Sequence, residues 1–224
     1  MDRQRDCLSH ILFNSLKTIT RPQRSCSLYL HYMTQKSLIT LPNKHLRQPS
    51  KKVGYINEKI HELVKRMEAV TLDWEANRDH EVGVALAAIQ IDEPLRIVVI
   101  RNDFDNKKDK TFRTIINPVI TKYEGELAED FEGCLSVKNL YGKVPRYQKV
   151  RVKALDLTGK EVRFSAEGFL ARVFQHEIDH TNGTLFIDHI KDAPDAFFVL
   201  NDEGNLQQLD YEKDIKNSKV LWSS

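Results

Sequence analysis

The stretch from Ala166 to Thr181 places two demands on a single helix. Leu170, Val173, Phe174 and Ile178 recur at three- and four-residue spacings, the pattern of a helix with one apolar face, and Asn182-Gly183 supplies a stop signal. Within it, Gln175-His176-Glu177-Ile178-Asp179-His180 sets two imidazoles four residues apart. On a helix both then reach one divalent metal, with Glu177 beside them to move protons. The same five-residue pattern also occurs as a solvated polar face, so the amphipathic context is what gives it weight. A helix that is apolar on one side and metal-binding on another belongs inside a fold. The reading is an α+β architecture, antiparallel or mixed β-sheets packed around a central metal-binding helix.

Open metal sites take three protein ligands and leave one position for water. A downstream carboxylate is one solution; a histidine six residues past His180 is another, but Phe186 stands there, and Asp188 and His189 fit neither spacing well. Cys134, in Glu132-Gly133-Cys134-Leu135-Ser136, is the better candidate. A lone cysteine is ordinarily a small buried hydrophobe. Of the three cysteines, however, Cys7 and Cys26 fall in an N-terminal extension, leaving the globular part a single thiol and no disulfide framework, as in a reducing compartment. A third segment, Gly83 to Gln90, is rich in small residues, ends in an amide, and precedes the strand-like run from Leu95 to Ile100. Small residues permit close approach of a ligand to the backbone, though a packed core turn also uses them.

These three segments, in this order, resemble the peptide deformylases, whose patterns are Gly-x-Gly-apolar-Ala-Ala-x-Gln, Glu-Gly-Cys-apolar-Ser and Gln-His-Glu-x-Asp-His. Residues 83 to 90, 132 to 136 and 175 to 180 match them, and the likeness runs from Leu38 to Ile190. Three departures stand out: Ala85 replaces a glycine, Lys138 a common proline, and Thr181 a common leucine. None of them is a metal ligand or the general base. The resemblance implies removal of the formyl group from N-formylmethionine at the start of new polypeptides, with release of formate. It implies Cys134, His176 and His180 as metal ligands, a metal-activated water, and Glu177 as general base and then acid. Leu135 N–H and the Gln90 amide would receive the charge developing on the formyl oxygen. Val84, Ala85, Glu132, Gly133, Phe169 and Val173 would contact substrate, all of them also ordinary neighbours of a core. Asp179 would pair with Arg146 to support the metal helix. Ligand type alone suggests Zn²⁺; the resemblance implies Fe²⁺, with Zn²⁺, Ni²⁺ or Co²⁺ as substitutes. Beyond the first residue, recognition through the peptide backbone is the expectation.

Along the chain, Ile56, Ile60, Leu63, Val64, Met67 and Val70 predict a helix ending before the polar stretch Asp73 to Glu81. Residues 95 to 100 and 113 to 120 read as buried strands. Val150, Val152 and Ala154 alternate into a turn at Thr158-Gly159-Lys160 and return through Val162 and Phe164. The segment after Cys134 reads as basic and turn-rich. Residues 33–190 form the expected catalytic domain, and 191–224 a β-hairpin-like segment with a polar tail. Residues 1–32 read as an extension with net charge +3, against +2 for the whole chain. Its Arg, Ser and Leu content resembles an organellar transit peptide, while Asp2 and Asp6 do not fit one and Met33 offers an alternative start. The expectation is a monomeric bacterial cytoplasmic enzyme acting on formylmethionyl nascent peptides, with ribosome contact as a family-level option and mitochondrion or plastid as the alternative location. No apolar run nears the eighteen or so residues of a membrane span. With 29% charged residues balanced to +2 and no aromatic platform, nucleic-acid binding is not indicated. Two competitors remain, a zinc endopeptidase using the same helix and a non-catalytic relative that binds without turnover.

Overall fold

The computed structural model describes residues 38–222, apart from Asn77, Asp79, His80 and Asp202. The 1–32 extension, and Met33 with it, lie outside the described residues. Strands β1 (Ala85–Ala87), β2 (Ile97–Arg101), β3 (Phe112–Cys134), β4 (Val137–Leu155), β5 (Glu161–Glu167), β6 (Phe197–Leu200) and β7 (Leu206–Gln208) form one sheet, joined by helices α1 (Glu58–Ala76), α2 (Gly168–Thr181) and α3 (Lys219–Trp222). Every paired strand is antiparallel. The sheet runs β1-β2-β3-β4, and the far edge of β4 is shared: β5 pairs with its second half and β6 with Leu140 to Gly142.

β2 shows how the layers form. All five of its residues are buried, because alternate side chains leave opposite faces of a strand. Val98 and Ile100 pack with Val173, Phe174 and Ile178 of α2. Ile97 and Val99 pack with Ile60, Val64 and Met67 of α1. A strand covered on both faces reads as an unbroken apolar run, as residues 97 to 100 do. A further cluster joins Val137, Leu140 and Val144 of β4 to Leu185, Phe186, Phe197, Ile215 and Leu221. The chain after β7 therefore packs back onto the body, with the Trp222 indole donating to the Ile215 carbonyl at 2.7 Å.

Several boundaries differ from the sequence reading: β3, expected to end at residue 120, runs to Cys134 because β4 pairs along it, and three more have their own physical reasons. The metal helix starts at Gly168, whose φ of +58° turns the chain out of β5; Ala166 is still strand. Helix α1 runs through Asp73 to Ala76 because Glu75 points inward to an ion pair with Arg101. The basic segment after Cys134 is the 19-residue strand β4. Leu140, Gly142, Val144 and Arg146 are buried at every second position, as are Val150, Val152 and Ala154, with Lys143, Arg151 and Lys153 exposed between them and the alternation broken at residues 147–149. At its other end α2 stops in a Schellman arrangement, Thr184 N–H to Asp179 O and Gly183 N–H to His180 O. Gly183 has φ +78°, and a Cβ there would lie 2.5 Å from the Arg47 carbonyl oxygen.

Candidate active site

β3 and β4 join through the two-residue turn Leu135-Ser136, which puts Cys134, paired with Val137, at the tip of a long hairpin. Packing of α2 against the sheet brings that tip to the helix. Cys134 Sγ is 3.3 Å from His180 Nε2, and ligand atoms of Cys134, His176 and His180 all lie within 4.8 Å of one another. A thiolate about 2.3 Å and an imidazole nitrogen about 2.0 Å from one tetrahedral ion are about 3.5 Å apart, so this donor set fits a single metal. Gln90 follows β1 and reaches the same point. Its Oε1 accepts from Ala87 N–H at 2.8 Å, which turns Nε2 toward Ser136 Oγ (3.2 Å) and Cys134 Sγ (3.5 Å).

Charge around the histidines is organised by Glu132. Its Oε2 accepts from His176 Nδ1 (2.9 Å) and Arg146 Nη2 (3.0 Å), and its Oε1 from Arg146 Nε and Arg172 Nη1, both at 2.9 Å. With Nδ1 held by a carboxylate, Nε2 of His176 is left to face a metal. Burial works against a charged Glu132, but His176 and Arg146 outweigh it and hold its carboxyl far below the usual range. Arg146 also donates to Asp179 Oδ2 at 2.5 Å, and His189 Nε2 lies 2.7 Å from the same oxygen. The expected Arg146–Asp179 contact is thus present. His189 was weighed only as a metal ligand, and Arg172 escaped the sequence reading: arginine inside an amphipathic helix looks like a solvated charge, yet Arg172 is buried and also donates to the Val144 and Ala128 carbonyls.

Glu177 is buried, and its Oε2 has no hydrogen-bond partner among the described residues. Desolvation pushes its carboxyl up to about 7. A bound divalent ion would draw it down again, since the ion is the largest charge in such a site. Burial, with the neighbouring His176, keeps His180 well below the usual imidazole range and so in the neutral form that ligates. A cavity of about 250 Å³ opens onto this group. Val84, Ala85, Gln90, Glu132, Gly133, Cys134, Leu135, Phe169, Val173, His176 and Glu177 all line it. Trp74, Glu81, Val82, Phe131, Tyr141 and Arg172 complete the lining; they lie outside the three short patterns, and local spacing carries no signal for them.

Residues 35–195 match the family model described as polypeptide deformylase. The curated peptide deformylase of Thermomicrobium roseum is 38% identical over 174 residues, covering 76% of this chain and 94% of that protein. The one from Mesorhizobium japonicum is 44% identical over 160 residues, 70% of this chain and 85% of that protein. A crystal structure of a peptide deformylase from Legionella pneumophila superposes with a TM-score of 0.60 at 42% identity, covering 68% of this chain and 83% of that one. A shared sequence pattern, a shared fold and a convergent Cys-His-His group agree: the chain belongs to the polypeptide deformylase family.

Proposed function

We propose that this site hydrolyses the formamide of N-formylmethionine at the N-terminus of newly made polypeptides, releasing formate and a free amine. The observation that carries the reading is the meeting of Cys134 with His176 and His180, with Cys134, His176 and Glu177 lining one cavity beside apolar side chains. Cys134, His176 and His180 hold the metal, which we take to be Fe²⁺, with Zn²⁺, Ni²⁺ or Co²⁺ as substitutes. Bound there, a divalent ion supplies Lewis acidity that makes hydroxide available near neutral pH. Glu177 accepts the proton of the attacking water as its oxygen bonds to the formyl carbon. When the carbon–nitrogen bond breaks, Glu177 passes that proton to the departing amine. Gln90 Nε2, its orientation set by the Ala87 N–H, and the backbone N–H of Leu135 donate to the formyl oxygen as charge builds on it; one such donor is worth about 3 kcal/mol.

Val84, Ala85, Gly133, Phe169 and Val173 form the wall against which the methionine side chain packs. Glu132, expected to contact substrate, lines the cavity and has a further task. Both of its oxygens are engaged by Arg146, Arg172 and His176, so it orients His176. Asp179 extends the same chain of contacts through Arg146 to Glu132 and on to His176. Asp179→Ala is therefore expected to weaken metal retention about ten- to a hundredfold, read as metal content after dialysis against a graded chelator; unchanged content would remove this role.

No helix among the described residues is long and apolar enough to cross a membrane. We assign the enzyme to the bacterial cytoplasm as a monomer working at the ribosome, with residues 33–190 as the catalytic domain; the bacterial relatives support that setting. The direct test is formate release from a formyl-Met peptide by protein prepared without oxygen and loaded separately with Fe²⁺, Ni²⁺ or Zn²⁺. Metal-dependent formate release is expected. Metal uptake without formate would return the endopeptidase and binding-module readings.

A further inference from the structure

Phe131, Gly133 and Tyr141 line the cavity, and strand register explains why they share a side. Gly133 pairs with Tyr141, and Phe131 with Lys143, across β3 and β4. Directly opposed residues of an antiparallel pair stand on the same face, as do residues two apart on one strand. β6 extends that face by one strand. Phe198 is paired with Tyr141, and its ring meets Phe131 edge-on, with centroids 5.0 Å apart and planes at 86°. Tyr141 is itself pinned: a Cβ on Gly133 would come within 2.7 Å of its ring, and its hydroxyl donates to Glu81 at 2.6 Å. The outer support of this wall thus comes from a strand beyond the family-matched residues 35–195.

The cavity volume of about 250 Å³ is below the roughly 300–1,000 Å³ of pockets that enclose drug-sized ligands. It suits one N-terminal residue, and residues that follow lie over the rim. Phe131 and Tyr141, which line the cavity together with Glu81, are the aromatic surface such residues would meet. We propose that Phe198 is a positioning residue for specificity: through Phe131 it holds an aromatic wall that favours apolar side chains downstream of the methionine. This rests on the deformylase reading above and adds side-chain selection where backbone recognition alone was expected. Edge-to-face aromatic pairs fix ring orientation as well as burying area, so the contact sets where Phe131 stands.

The test compares formyl-Met-Ala-Phe with formyl-Met-Ala-Ser in wild type, Phe198→Ala and Phe198→Tyr. Wild type is expected to favour the phenylalanyl peptide. Phe198→Ala should reduce that kcat/KM ratio about three- to tenfold, the range of one aromatic contact, chiefly through KM. Phe198→Tyr, which keeps the ring, should restore it. Equal losses on both peptides, an unchanged ratio, or a wild type without preference overturns the inference. Should the alanine variant be insoluble, Phe198→Leu keeps apolar bulk without the ring edge and is read in the same way. If wild type releases no formate from either peptide, it is the deformylase reading that fails.

Discussion

Glu177→Gln is expected to lower kcat about 10²- to 10⁴-fold, the usual contribution of a positioned general acid–base group. Glutamine keeps the volume of a side chain that is only 5% exposed, so the loss isolates proton transfer from packing. Stability should not fall with activity. Desolvation already pushes the Glu177 carboxyl up to about 7, and a neutral amide removes the burden of burying a charge there. Metal content should also hold, because Cys134, His176 and His180 remain in place. Formate release measured beside metal content and thermal unfolding checks all three outcomes. A kcat within tenfold of wild type would assign the proton transfer to another group, and parallel loss of metal would make Glu177 a support of the metal site.

The largest effect on stability is expected at Glu75. Arg101 has a side chain with 0% exposure, and its Nη2 donates to Glu75 Oε2 at 2.5 Å. Its Nε and Nη1 have no hydrogen-bond partner among the described residues. Glu75 also accepts from Lys110 Nζ at 3.0 Å and from Gly83 N–H at 3.1 Å. Glu75→Ala leaves a buried guanidinium uncompensated, which costs about 3–5 kcal/mol, readable as a lowered urea midpoint. The loss should vary with pH. Burial raises the Glu75 carboxyl, but its bonds to Lys110, Arg101 and Gly83 more than offset this and hold it below the ordinary value. The folded state therefore binds fewer protons than the unfolded chain here. The stabilisation is full above the unfolded value, near 4.3, and declines as pH falls through the folded one. The gap between wild type and Glu75→Ala should narrow in acid; a gap independent of pH would mean the effect is packing alone.

Glu75 also shows where sequence reading stops. It lies in a polar stretch that local pattern assigns to a loop, and only the inward pull of Arg101, 26 residues away, carries the helix through it. The hairpin tip is a second case. Leu135-Ser136 has none of the Asn-Gly or Asp-Gly chemistry that announces a two-residue turn, so the first half of β4 was hidden behind its basic residues, although its second half shows in the alternation of residues 150–154. Arg172 is a third, a charge on a buried helix face made tolerable by Glu132 from another strand.

What the sequence determined by itself is chemistry carried by short spacings. The pairing of His176 with His180 and the placing of Glu177 beside them follow from helical geometry, and the alternating strands on either side of residue 158 follow from a two-residue period. Candidacy of Cys134 rested on the need for a third ligand and on its being the single thiol of the globular part, and that of Gln90 on the likeness of whole segments. Their approach to the helix, 46 residues away in the case of Cys134 and His180, was decided by strand register and by how α2 packs on the sheet. So were the four bonds to Glu132 and the seat of Phe198 against Phe131. Spacing along the chain fixes which side chains share a local face; which faces meet depends on pairing and packing between distant segments, and that is a property of the tertiary structure.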